Sequence, residues 1–194
     1  MQASPKVRAG KAPGVAMLVL VVGPSGAGKD TLLDAARAAL TGDQRFRFVR
    51  RVITRPADAG GEAHEAVTEA AFATRAFALA WQAHGLRYGI PDDVAADLAA
   101  GRVVVANVSR GVIAEAAARF PVQVIEITAP PEVLATRLAM RGRESAADVT
   151  ARLARTVVLP DGIPIETVMN DATVEAGTAR FLATLNRAAE AARR

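Results

Sequence analysis

The stretch Gly23-Pro24-Ser25-Gly26-Ala27-Gly28-Lys29 has the spacing G-x-x-x-x-G-K and lies between an apolar run at residues 15–22 and a helix-like segment at 32–40. Few local patterns restrict a fold as tightly. Glycines let successive backbone N–H groups turn inward on a polyphosphate, and the lysine adds a point charge over the group being transferred. A glycine-rich turn that binds nothing requires neither the strand before it, the helix after it nor the lysine between them. The rest of the chain prefers arginine, and Lys29 is the only lysine after residue 11, where a compact ammonium suits a phosphate cradle better than a planar fork. Gly23, Pro24, Ser25, Gly26, Ala27, Gly28, Lys29, Asp30 and Thr31 are thus the expected ATP-binding residues. Asp30 departs from the usual pattern, in which a Ser or Thr directly after the lysine ligates magnesium. Here the hydroxyl arrives one place later, at Thr31, so Asp30 or Thr31 is the most this segment offers to a metal.

Composition bounds the remaining possibilities. With 194 residues, 51% of them apolar, the chain can bury a proper core as one domain with small subdomains. It has no cysteine, which excludes disulfides and thiolate metal sites and fits a cytoplasmic location. Two histidines without cysteine also leave zinc short of ligands. A formal charge of +4 suits anionic partners. Nucleic acid is not expected among them, because one Trp, one Tyr and six Phe provide little surface for base stacking.

Residues 1–14 carry charge, Pro and Gly without an apolar period and read as a disordered tail. Basic residues followed by the apolar run 15–22 resemble the start of a secretory signal, but the cleavage region would coincide with the phosphate loop. The run is also too short to span a membrane. Downstream, strands are expected at 46–53, 77–84, 103–107, 122–128 and 166–169, and helices at 69–76, 93–100, 110–119, 131–141, 146–156 and 174–192. Asp92 is the expected cap of the helix at 93–100. Strands alternating with helices predict a three-layer α/β sandwich on a parallel sheet.

The segment Arg137-Leu138-Ala139-Met140-Arg141-Gly142-Arg143-Glu144, followed by Arg152, is similar to the lid of guanylate kinases. Asn170-Asp171 is similar to their pair near the donor base, and Arg55 with Tyr88-Gly89 to their acceptor-phosphate contacts. The chain from residue 15 to 194 resembles this family of P-loop kinases with a nucleoside-monophosphate-kinase-like fold. The resemblance implies an acceptor subdomain at about 45–92 and a lid at about 138–155. It also implies that Asn170 binds ATP, and that Arg137, Arg141 and Arg152 close over the donor phosphates. The departures matter as much. A guanylate kinase reads its base with a carboxylate before the Trp and a small hydroxyl residue, where Ala80 and Ile90 stand here, while Arg51 replaces a serine and Asp58 an arginine. With Val52-Ile53-Thr54-Arg55-Pro56 and Trp81-Gln82-Ala83-His84-Gly85-Leu86-Arg87-Tyr88-Gly89, the chain resembles the ribose 1,5-bisphosphate phosphokinases of phosphonate degradation more closely. That resemblance implies transfer from ATP to a phosphorylated sugar, with Mg2+, forming 5-phospho-α-D-ribosyl 1-diphosphate.

The residues fit such chemistry on their own terms. Phosphoryl transfer to an existing phosphate needs no general base, since the attacking oxygen is already anionic; positioning and charge neutralisation do the catalysis. Lys29, Arg137, Arg141 and Arg152 are the expected catalytic cations, and Arg137 and Arg141 stand four apart on one helix face. Arg50, Arg51, Arg55 and Arg87 fall in the acceptor-side segments, with Arg51, Arg55 and Tyr88 as substrate candidates. Asn107, Ser109 and Arg110 follow a central strand, where α/β sheets place ligands; Ser109 equally fits a helix cap. His64 and His84 are candidate hydrogen-bonders in the pocket. Three other readings stand beside this one. A guanylate kinase would use GMP, a non-catalytic module would be free to lose Lys29 and the lid arginines, and a motor ATPase would end the strand at 103–107 on an acidic residue.

Overall fold

The computed structural model describes residues 16–57, 63–140 and 162–193. The tail expected at 1–14, the helix expected at 146–156, Asp58, Arg141 and Arg152 lie outside the described residues. Strand β1 (Met17–Val22) is followed by helix α1 (Lys29–Ala39), and β2 (Phe46–Phe48) returns to the same sheet. A second, smaller sheet takes β3 (Val52–Ile53), β4 (Glu65–Ala66), β5 (Phe77–Ala83) and β6 (Leu86–Pro91), with the short helix α2 (Glu69–Ala73) between β4 and β5. The chain then runs through α3 (Val94–Ala99), β7 (Val103–Asn107), α4 (Ile113–Arg119), β8 (Val122–Thr128), α5 (Pro131–Met140), β9 (Ile165–Met169) and α6 (Val174–Ala191).

The main sheet has the order β2-β7-β1-β8-β9 with every pair parallel. Its central strands are unbroken runs of β-branched and leucine residues because helices cover both faces. Alternation along β1 divides the core. Val19 and Val21 pack with Leu32, Phe181 and Leu185 from α1 and α6, whereas Leu18, Leu20 and Val22 pack with Val94, Leu98 and Ile113 from α3 and α4. These are the three layers the alternating pattern predicts. On either side of β1 the strand order runs in opposite directions, and a crevice forms there at the carboxyl ends of the strands.

The single strand expected at 46–53 is instead two strands in two sheets. Val49 N–H still reaches the Val105 carbonyl, at 2.9 Å, and then the consecutive Arg50 and Arg51 leave the buried sheet. Arg50 donates to the His64 carbonyl at 2.7 Å, and β3 pairs antiparallel with β6 and parallel with β4. Two adjacent guanidinium groups cannot both be held in the interior of a parallel sheet, so the chain crosses over. The β5–β6 hairpin turns at His84 and Gly85, whose φ values of 52° and 72° are those of a tight primed turn. The cap position of α3 is held by Asp93, one residue past Asp92, and its carboxylate pairs with Arg47 at 2.8 Å.

Arg47 also binds Asp97, whose other oxygen takes Arg102 at 2.8 Å. This bracket ties β2, α3 and the start of β7 together. Burial works against the Arg47 charge, but hydrogen bonds to Asp93 and Asp97 outweigh it and keep its pKa above the ordinary arginine value. Asp97 is itself buried. Asp97→Ala would leave Arg47 with Asp93 alone and take the Asp97 carboxylate from Arg102, and a loss of about 1–3 kcal/mol is expected in a urea melt.

Candidate active site

The phosphate loop turns as it does because two of its glycines occupy places no side chain could share. Gly23 has φ +147°, and a Cβ there would stand 1.9 Å from the Ile127 carbonyl oxygen. Gly28 has φ +82°, and a Cβ would meet Asn170 Nδ2 at 2.5 Å. Gly28 is also the N-cap of α1, and no side chain caps that helix. Its first-turn N–H groups are therefore available to an anion at the positive end of the helix dipole. Lys29 arches back over the loop and donates from Nζ to the carbonyls of Gly23 at 2.8 Å and Pro24 at 2.9 Å.

Two hollows flank the loop. On the donor side, a space of about 320 Å³ is lined by Gly26, Gly28, Thr31, Arg137, Asn170, Ala172, Met140 and Val174. Asn170 is buried and braces the loop, donating from Nδ2 to the Ala27 carbonyl at 2.8 Å. Arg137, from α5, donates to the Asn170 carbonyl at 3.0 Å. A single chain of contacts thus runs from α5 through Asn170 to the phosphate loop. Met140 and Val174 were not legible in the sequence as site residues. Their signal is exposure of large apolar side chains, 75% and 47%, beside a polar loop.

On the other side, the loop's mouth opens on a cleft of about 280 Å³ whose far wall is the second sheet. Ser25, Lys29 and Asp30 face Arg51, Trp81, Tyr88 and His84 across it, with Asn107 and Ser109 at its floor. Trp81 and Tyr88 are cross-strand partners whose rings stack at 5.4 Å between centroids. The Arg51 guanidinium lies over both, 6.0 Å from the Trp81 ring and 5.3 Å from that of Tyr88. Such stacking orients the plane of the cation against the two rings.

The structure brings Lys29, Asp30, Arg51, His84, Tyr88, Asn107 and Ser109 together on this cleft with Gly23, Ser25, Gly26 and Gly28 of the loop, while Thr31, Arg137 and Asn170 line the donor-side hollow. Asn107 donates from Nδ2 to Asp30 Oδ1 at 3.0 Å. Ser109 caps the turn that leads into α4, accepting from Gly111 N–H at 3.3 Å, so it is both a cap and a cleft residue. Arg110 is paired with Glu126 at 2.5 Å. Arg87 points away, its guanidinium 4.5 Å from the centre of the Phe72 ring. Arg55 does not line the cleft. It meets the buried His64, Nη2 to Nδ1 at 3.2 Å, and its Nε is buried without a hydrogen-bond partner. Strand alternation places Ala80 on the face opposite Trp81, while the face of Trp81 and Tyr88 carries Ala83 and Leu86 towards the turn and, towards the core, Leu79 and Ile90. Both are apolar and buried, at 1% and 0% exposure.

Among the described residues no group of three or more His, Cys, Asp or Glu side chains is placed to hold a metal, and no helix is long and apolar enough to cross a membrane.

A family model described as the P-loop containing region of AAA domain matches residues 12–49. The chain is 54% identical over 173 residues to ribose 1,5-bisphosphate phosphokinase PhnN of Acidiphilium cryptum, covering 88% of this chain and 92% of that one. It is 53% identical over 170 residues to the protein of the same name in Brucella melitensis, covering 84% and 88%. It is also 57% identical over 171 residues to the bifunctional ribose 1,5-bisphosphokinase-thymidine phosphorylase of Cupriavidus necator, covering 85% of this chain but only 28% of that longer protein. Among solved structures, guanylate kinase from Anaplasma phagocytophilum superposes with a TM-score of 0.60 over 93% of this chain and 90% of that one, at 16% identity. The fold is therefore that of the nucleoside-monophosphate kinases.

Proposed function

The chain belongs to the ribose 1,5-bisphosphate phosphokinase family, and from that premise we propose that it transfers the γ-phosphoryl group of ATP to ribose 1,5-bisphosphate. An oxygen of the acceptor's 1-phosphate attacks the γ-phosphorus, the bond from that phosphorus to the β,γ-bridging oxygen breaks, and ADP leaves. The product is 5-phospho-α-D-ribosyl 1-diphosphate, made in the course of phosphonate use in the cytoplasm. Mg2+ supplies charge neutralisation on the β- and γ-phosphates when bound.

The observation that carries the reading is the pairing of walls across one cleft. The phosphate loop and Lys29 form one side, and the other offers a stacked cation with two rings and, among the described residues that line it, no carboxylate to read a base. Lys29 and the loop amides hold the β- and γ-phosphates, Thr31 reaches a donor phosphate, and Arg137 binds from α5. Arg141 and Arg152 complete the lid in this scheme. On the acceptor side Arg51 takes a phosphate, and Tyr88, Ser109 and Asn107 face the sugar.

The test is a parallel assay. Purified protein with Mg-ATP is offered ribose 1,5-bisphosphate, GMP, dGMP and AMP, and products are separated by ion exchange. Turnover of the bisphosphate alone is expected; turnover of GMP alone would make it a guanylate kinase, and silence with all four would make it a binding module.

A further inference from the structure

The two residues after Lys29 face opposite ways. Thr31 lines the donor-side hollow, while Asp30 lines the cleft where the γ-phosphate and the acceptor would meet. Asp30 is held there by Asn107, a buried amide at the carboxyl end of β7, 77 residues away in sequence. In P-loop hydrolases the residue at the first of these positions is a hydroxyl that ligates magnesium, and the strand beside the loop ends in an acid that helps hold it. Here the acid stands on the helix and a neutral amide on the strand.

A carboxylate on the first turn of α1 gains from the helix dipole, and that alone would account for Asp30 in an empty loop. It does not account for Asp30 beside a bound triphosphate. Like charges a few ångströms apart repel strongly in a partly covered cleft, and a metal cation held by both would turn that repulsion into shared ligation. Mg2+ suits the position, because it takes hard oxygen donors, keeps several waters and is usually held by one or two carboxylates together with substrate phosphates. One amide hydrogen on Oδ1 leaves Asp30 ample lone pairs for this.

We propose that Asp30 is the protein's ligand to magnesium in the donor complex, and that Asn107 is a positioning residue that aims it. This rests on the reading of the protein as an ATP-dependent phosphokinase. It transfers to one helical residue the work usually divided between a hydroxyl and a strand-end acid.

The experiment measures metal affinity apart from turnover. Mn2+ replaces Mg2+, and its binding to the full chain with ATP and no acceptor is followed by the electron paramagnetic resonance signal of free Mn2+. Asp30→Asn is expected to weaken Mn2+ binding by about 10–100-fold. Metal-free ATP, titrated in EDTA by calorimetry, should bind the variant as well as or better than the native protein, since a repulsive charge has gone. Asp30→Ser restores a hydroxyl ligand and should recover most of the loss, and Asn107→Ala should give a smaller one. A change in Mn2+ affinity below about twofold in Asp30→Asn, or an equal loss of metal-free ATP binding, would overturn the assignment. Native protein that binds Mn2+ through Asp30 but leaves ribose 1,5-bisphosphate untouched would sink the proposed acceptor and leave this inference standing.

Discussion

Lys29→Ala is expected to lower the rate of phosphoryl transfer by about a hundred- to a thousandfold while the protein stays folded. The ammonium acts on charge that develops on the transferring group, and interactions stronger in the transition state than in the ground state appear in kcat. In the structure Lys29 donates to the carbonyls of Gly23 and Pro24 in its own loop, and it is no part of the hydrophobic core. A loss of about 1 kcal/mol in thermal or urea unfolding is the expected scale. Lys29→Arg should not rescue activity. A planar fork cannot donate tetrahedrally to two carbonyls and still cap a phosphate from above the loop. Near-native kcat in Lys29→Ala, measured with saturating ATP and bisphosphate, would remove the loop from the chemistry.

The sequence and the structure agree best where information is local, with the cap of α3 displaced by a single residue from Asp92 to Asp93. The phosphate loop declares itself in nine consecutive residues, and β7 and β8 by their unbroken apolar runs, because a strand buried on both faces admits little else. They part where a decision is made between distant segments. Whether residues 46–53 form one strand or two depends on which sheet receives Arg50 and Arg51, and neither sheet is visible in that stretch. Counting arginines likewise reveals cations but not their partners. That Arg110 pairs with Glu126, and that Arg55 meets His64, is seen only in the structure. Arg51 is the opposite case. Its place over Trp81 and Tyr88 rests on cross-strand pairing that brings residues from β5 and β6 onto one face. The hydrogen bond from Asn107 to Asp30 spans the whole acceptor subdomain in sequence and has no local trace at all.

Acceptor choice follows from that same face. A site that reads a base discriminates by leaving its own polar groups unpaired when the base is absent, and a site without such groups has no preference to express. On the wall that would meet a guanine, the positions continuing from Trp81 and Tyr88 into the core are Leu79 and Ile90, both buried and apolar. GMP is therefore expected to be a very poor acceptor, below ribose 1,5-bisphosphate by at least about a hundredfold in kcat/KM. Ala80→Glu should not change this, since position 80 lies on the face turned away from Trp81. Arg51→Ala should reduce kcat/KM for the bisphosphate by about ten- to a hundredfold, the loss of a charge-assisted contact of roughly 1.5–3 kcal/mol, and leave ATP binding unchanged. Arg51→Lys should recover only part, because an ammonium keeps the charge but gives up the flat stack on Trp81 and Tyr88. Steady-state kinetics with both acceptors, run on the native protein and these variants, decide the matter. Robust use of GMP with none of the bisphosphate, or an Arg51→Ala variant as active as the native chain, would mean that this cleft selects its acceptor by some other wall.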